Sequence, residues 1–96
     1  MAAYYTASYD ILDEEEYAKY GPPAMELMLK YGAEVLSIDF QAITIEGNGR
    51  HMNAIVRFPS VELALQCYND PAYLPLKELR LGCTKGCTMM LLHGLT

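Results

Sequence analysis

The sequence predicts an α+β plait, a four-stranded antiparallel sheet with two helices on one of its faces. Three observations lead to it. Four segments with strand character alternate with two helical ones in the order β-α-β-β-α-β. Both helical segments open on recognisable cap residues. The strands also carry apolar side chains on both parities, where a plait standing alone should alternate apolar with polar.

The first strand is "YYTASYDIL", residues 4–12, rich in Tyr, Thr and Ile. Asp13 then supplies a helix N-cap. Glu14 and Glu15 suit the positive end of the helix dipole, and Glu16 stands at the capping-box position. Gly21, Pro22 and Pro23 interrupt the helix. Pro23 fits the first position of a resumed segment, "AMELMLKY", which Gly32 can end, so the first helix is expected to be bent.

"AEVLSIDFQAITIEG", residues 33–47, reads as one long second strand. Leu36, Ile38 and Phe40 share one parity and Ile43 and Ile45 the other, so a bulge is expected near Gln41 or Ala42. "GNGR", residues 47–50, predicts a hairpin turn into "HMNAIVRF", with Met52, Ala54, Val56 and Phe58 on one face. After Pro59, Ser60 caps a second helix whose Val61, Ala64, Leu65 and Tyr68 keep helical spacing. Asp70 precedes Pro71 and disfavours continued helix, while Pro75 allows a restart. "CTMMLLHGL", residues 87–95, is the closing strand. The order is that of a ferredoxin-like plait, expected as a single domain over residues 1–96.

In the closing strand Met89 and Leu91 share one face and Met90 and Leu92 the other, and in the third strand Ile55 joins an otherwise polar parity. Either a second copy of the sheet covers the outer face, giving an isologous homodimer through the open sheet face, or a short central strand carries an incidentally apolar surface.

Composition narrows the function classes. Hydrophobic residues make up 52% of the chain, too many for a disordered segment, yet no apolar run is long enough to span a membrane. The net charge of −5 repels phosphate backbones, so no nucleic-acid or membrane partner is expected. "MAAYYTASYD" lacks a basic region followed by an apolar run, from which a cytoplasmic location is expected. Cys67, Cys83 and Cys87 then read as reduced thiols.

"KYG" at 30–32, "IEG" at 45–47, "FPS" at 58–60, "YNDPAY" at 68–73 and "LKELR" at 76–80 resemble, in order and spacing, the domain of unknown function 1330 family. The resemblance covers essentially the whole chain. It implies membership of the dimeric α/β-barrel superfamily, in which ferredoxin-like subunits pair their sheets back to back. Superfamily relatives include cofactor-free monooxygenases, haem-degrading enzymes and lactone isomerases that use a pocket between helices and sheet; at the level of fold this is analogy. The chain departs from the family pattern at Cys67, where tryptophan is usual, at Pro75, where a helix former is usual, and at His93, which replaces an acidic residue.

The helix break brings Tyr68, Tyr73 and Arg80 into play as pocket residues, with Tyr5 and Tyr9 on one parity of the first strand meeting Tyr68. Arg80 would orient an anionic or carbonyl group. The alternative makes Tyr68 core and Arg80 a surface cation. His93 and Tyr68 are the candidates for moving a proton, against a structural histidine near the dimer seam. Asp39 needs a partner such as Arg57 or Arg80, whereas His51 is expected to be solvated. "CTKGC" places Cys83 and Cys87 in a turn, but the second pair of a zinc site is missing, so no metal is expected. No bound cofactor is expected either. Two functions stand: a dimeric protein binding a small organic molecule between sheet and second helix, with or without cofactor-free catalysis, or a non-catalytic dimeric module.

Overall fold

The computed structural model describes residues 1–95; Thr96, the last residue of the expected domain, lies outside them. The chain forms β1 (Ala3–Ile11), α1 (Glu14–Tyr17), α2 (Gly21–Lys30), β2 (Glu34–Asp39), β3 (Met52–Phe58), α3 (Val61–Tyr68), a 3-10 turn (Pro71–Tyr73), α4 (Leu74–Cys83) and β4 (Thr84–His93). The strands make one antiparallel sheet in the order β2-β3-β1-β4. This is the ferredoxin-like α+β plait. Among the described residues no helix is long and apolar enough to cross a membrane.

The helix starts follow the cap chemistry. Asp13 accepts the Glu16 N–H at 3.1 Å, Ser60 Oγ accepts the Leu63 N–H at 3.2 Å, and Asp70 accepts the Ala72 N–H at 2.8 Å. The first helical region is two helices rather than one bent helix, with prolines in the first turn of α2. The second region breaks at Asn69–Asp70 and restarts through the 3-10 turn as α4.

The second strand and its turn differ from expectation. β2 stops at Asp39, whose carboxylate accepts the Gln41 N–H at 2.8 Å, an Asx turn that diverts the chain. Residues 40–51 form a long connection in place of a tight hairpin. Ile43 and Ile45, the alternating pair that suggested a strand, are 90% and 92% exposed. The bulge lies at Leu36, between the pairs Val35–Val56 and Ser37–Ile55, rather than at Gln41 or Ala42. β4 begins three residues earlier than expected. Tyr9 opposes both Gly86 and Cys87, and Gly86, at φ +65°, provides the left-handed conformation of that bulge.

One sheet face is the core floor: Ala3, Ala7 and Tyr9 of β1 and Met52, Ala54, Val56 and Phe58 of β3 are all buried. Tyr20, Ala24, Leu27, Ala64, Cys67 and Tyr73 close over it from the helices. The other face is open. There Thr6 pairs with both Ile55 and Met90, and Tyr4 pairs with Arg57 and Leu92. Ile55, Met90 and Leu92 are 42%, 56% and 45% exposed.

Candidate functional site

A half-open cleft of about 330 Å³ runs between α3 and the floor made by β1 and β4, lined by Tyr5, Ala64, Leu65, Tyr68, Met89, Met90 and Leu91. That volume is at the small end for organic ligands. Each wall follows from local structure. Helical spacing puts Ala64, Leu65 and Tyr68 on one side of α3, and the antiparallel register sets Tyr5 beside Leu91. Ala64 is the small residue that leaves the space. Tyr5 also borders two narrower spaces, one beneath Tyr68, Tyr73 and Met28 and one beneath Tyr9, Tyr17 and Tyr20.

Behind Tyr5 lies a tyrosine cluster. The Tyr9 and Tyr17 hydroxyls are 2.5 Å apart, those of Tyr20 and Tyr73 are 2.7 Å apart, and Tyr5 Oη donates to Met89 Sδ at 2.8 Å. Burial pushes the Tyr5, Tyr9 and Tyr20 phenols well above their usual value, because a phenolate there would lose its hydration. These groups are therefore neutral hydroxyls. They can donate and accept hydrogen bonds but do not serve as phenolate bases.

Arg80 is 1% exposed. Its Nη1 donates to Cys87 Sγ at 2.9 Å, its guanidinium sits 5.9 Å from the Tyr20 ring centre, and its backbone oxygen accepts the Thr84 hydroxyl at 2.7 Å. It is thus neither a surface cation nor a wall of the cleft.

The structure brings together part of the set read from the sequence. Tyr5 and Tyr68 face each other across the cleft. Tyr73 stacks on Tyr68 with ring centres 5.4 Å apart, but its hydroxyl is committed to Tyr20. Tyr9 is buried under Tyr17, away from α3. Asp39 pairs with Asn53 on the open sheet face, opposite the helices, so it cannot line a space beneath them, and neither Arg57 nor Arg80 pairs with it. His93 is exposed at the end of β4, across from Ala3, and lines none of these spaces. Met89, placed with Leu91 on one face of the closing strand, lines the cleft, and the Lys77 ammonium, which no motif marks, lies 5.0 Å from the Tyr68 ring centre.

His51 is more than a solvated side chain. The Ile11 N–H donates to its Nε2 at 3.2 Å, which places the ring proton on Nδ1, 3.0 Å from Asp10 Oδ1. Asp10 also accepts the His51 N–H at 3.1 Å and Arg50 Nη1 at 2.9 Å. The His51 backbone bond and the Arg50 guanidinium hold its carboxyl below the usual value. This cluster ties the 40–51 connection to β1.

Cys83 ends α4 and Cys87 lies within β4, so the two do not share a turn. Burial pushes the Cys67 thiol up to about 11 and raises that of Cys83. Among the described residues no three His, Cys, Asp or Glu side chains gather as metal ligands.

The fold and the cleft define a ferredoxin-like protein with a small apolar opening between helix and sheet. The chain belongs to the family described as domain of unknown function (DUF1330), whose model matches residues 2–95. A protein of unknown function from Rhodopseudomonas palustris has the same fold, with TM-score 0.82 at 17% identity over 99% of this chain and 83% of that one. SnoaB, a cofactor-independent oxygenase from Streptomyces nogalater, aligns with TM-score 0.71 at 6% identity over 99% and 94%. A dimeric protein of unknown function and ferredoxin-like fold from Bacteroides fragilis aligns with TM-score 0.58 at 9% identity over 97% and 96%. At these identities the likeness is one of fold. No curated protein matches the chain.

Proposed function

We propose that this protein binds a small, largely apolar organic molecule in the cleft between α3 and the sheet, and that it works as a homodimer joined through the open sheet face. The observation that carries the first part is the pairing of Tyr5 and Tyr68 across an opening whose other side-chain walls include Ala64, Leu65, Met89 and Leu91. A carbonyl or hydroxyl on the ligand would meet a tyrosine hydroxyl, and the rest of the molecule would meet thioether and aliphatic carbon. The oxygenase among the fold neighbours acts without a cofactor. In this chain the neutral phenols suit hydrogen-bond donation to an oxygen of the ligand.

The second part rests on the row formed by Ile55, Thr6 and Met90, flanked by Tyr4 and Leu92. A two-fold axis through that row would bury the same apolar surface on both copies. One of the fold neighbours is described as dimeric.

A thermal-shift screen of small phenols and ketones against the wild type and Tyr68→Ala tests the binding. A ligand at a hundred times its dissociation constant stabilises by about 2.7 kcal/mol. That corresponds to a rise of roughly 10–20 °C in Tm for a domain of this size. The reading expects at least one compound to raise the wild-type Tm and to leave Tyr68→Ala unmoved; an equal rise in both would refute it.

A further inference from the structure

Arg80 is a charge in an unusual place. Arginine stays protonated in proteins, and a buried, unpaired cation is expensive, so such a group is normally matched by a carboxylate. Here it forms no ion pair with a carboxylate among the described residues, and its Nε has no hydrogen-bond partner there. The groups around it include the Tyr5, Tyr17, Tyr20 and Tyr73 hydroxyls and the Cys83 and Cys87 thiols. Only Cys87 receives a direct hydrogen bond, Nη1 to Sγ at 2.9 Å.

Of those neighbours a thiol is intrinsically the strongest acid, at about 8.5 against about 10 for a phenol. Burial takes Tyr5 and Tyr20 further from ionisation. Cys87 is the neighbour that the guanidinium holds directly. It is also reachable. It is half-buried on β4, an edge strand, beside the exposed Gly86 bulge, while Cys67 and Cys83 are buried at 4% and 3% exposure. Cys87 sits on the helix side of the sheet, so a partner on the open face leaves it uncovered.

We propose that Cys87 is a modification site, a nucleophilic thiol paired with Arg80 that reacts with small uncharged electrophiles such as hydrogen peroxide. The sulfur attacks one peroxide oxygen; the S–O bond forms as the O–O bond breaks, and the departing hydroxide takes a proton from solvent to become water. Sulfur is oxidised by two electrons to the sulfenic acid and peroxide is reduced. Arg80 acts as a positioning residue that holds the sulfur through the Nη1 hydrogen bond. This inference stands apart from the cleft, which Cys87 does not line.

The test is alkylation of the native protein by iodoacetamide at neutral pH, read by mass spectrometry at each cysteine. Sulfur displaces iodide, so the rate reports the nucleophile directly. Cys87 is expected to react at least tenfold faster than Cys67 and Cys83. Arg80→Leu should slow Cys87 about tenfold at neutral pH and Arg80→Lys should restore part of the rate. Hydrogen peroxide should add one oxygen to the wild type and none to Cys87→Ser. Should Arg80→Leu fail to fold, the wild-type rates at the three cysteines, Arg80→Lys and Cys87→Ser still decide the matter. Equal rates at the three cysteines, or a Cys87 rate that a folded Arg80→Leu leaves unchanged, would overturn the assignment.

Discussion

The Tyr20–Tyr73 pair offers a quantitative test of how the helical layer is held together. Tyr20 stands at the start of α2 and Tyr73 in the 3-10 turn, 53 residues apart, with rings edge to face at 6.3 Å and hydroxyls 2.7 Å apart; both residues are buried. Tyr73→Phe removes one hydroxyl and leaves the other without its partner, which costs about 1–3 kcal/mol. Tyr20→Phe should cost a similar amount. In the double variant neither hydroxyl is stranded, so its cost should fall below the sum of the singles, with a coupling of about 1–2 kcal/mol. At roughly 4–8 °C per kcal/mol, each single change should lower Tm by about 4 °C or more. Chemical denaturation of the four proteins at one pH gives the cycle. Strict additivity, or single variants that melt with the wild type, would show that this bond does not join the two helical regions.

Other outcomes follow from the same structure. Gly86→Ala forces a left-handed residue and brings its Cβ to 2.5 Å from Arg50 Cζ, so it should destabilise by at least about 1–2 kcal/mol; a melt like the wild type would contradict this. Ile55→Arg puts an unpaired cation on each side of the proposed two-fold, and sedimentation should show association at least about tenfold weaker, with the monomer still folded. Tyr5, Tyr9 and Tyr20 have folded-state values above the unfolded one, so their contribution is present below pH about 10 and lost as pH rises past it. Absorbance at 295 nm should then show part of the tyrosine signal appearing only with unfolding, where a single smooth titration near 10 would refute the burial argument. Asp10 and Asp70 are shifted the other way, Asp10 by His51 and Arg50 and Asp70 by the Tyr31 hydroxyl and the Ala72 N–H. Their contribution is present above the unfolded value near about 3.9 and is lost as pH falls through their lower folded values, so Asp10→Asn should flatten the acid limb of a stability curve.

The fold was legible where local chemistry decides it. Asp13, Ser60 and the Asp70–Pro71 break act through their own backbone neighbours, and sequence order alone places them. The Ile43–Ile45 alternation misled because a period of two marks a strand only if another strand is there to pair, and the Asx turn at Asp39 carries the chain away from β3. The site was half legible. Tyr5 and Tyr68 meet because strand parity and helical spacing both point them into one space. Arg80 looks like a surface cation near a helix end, and only the direct passage of α4 into β4 at Cys83–Thr84 brings it against Cys87. His93 looks central in an apolar strand, yet the strand ends there. Asp39 changed face because the bulge at Leu36 reverses the parity of everything after it.

The binding cleft is tested most directly by methionine-methyl NMR of the purified protein during titration with the compounds that raise its Tm. Met89 lines the cleft and Met1 lies far out in solvent at 79% exposure. The account predicts that the Met89 methyl signal moves and saturates while Met1 stays in place, and that Tyr68→Ala abolishes the movement. A Met89 signal that stays still with every such compound would contradict it.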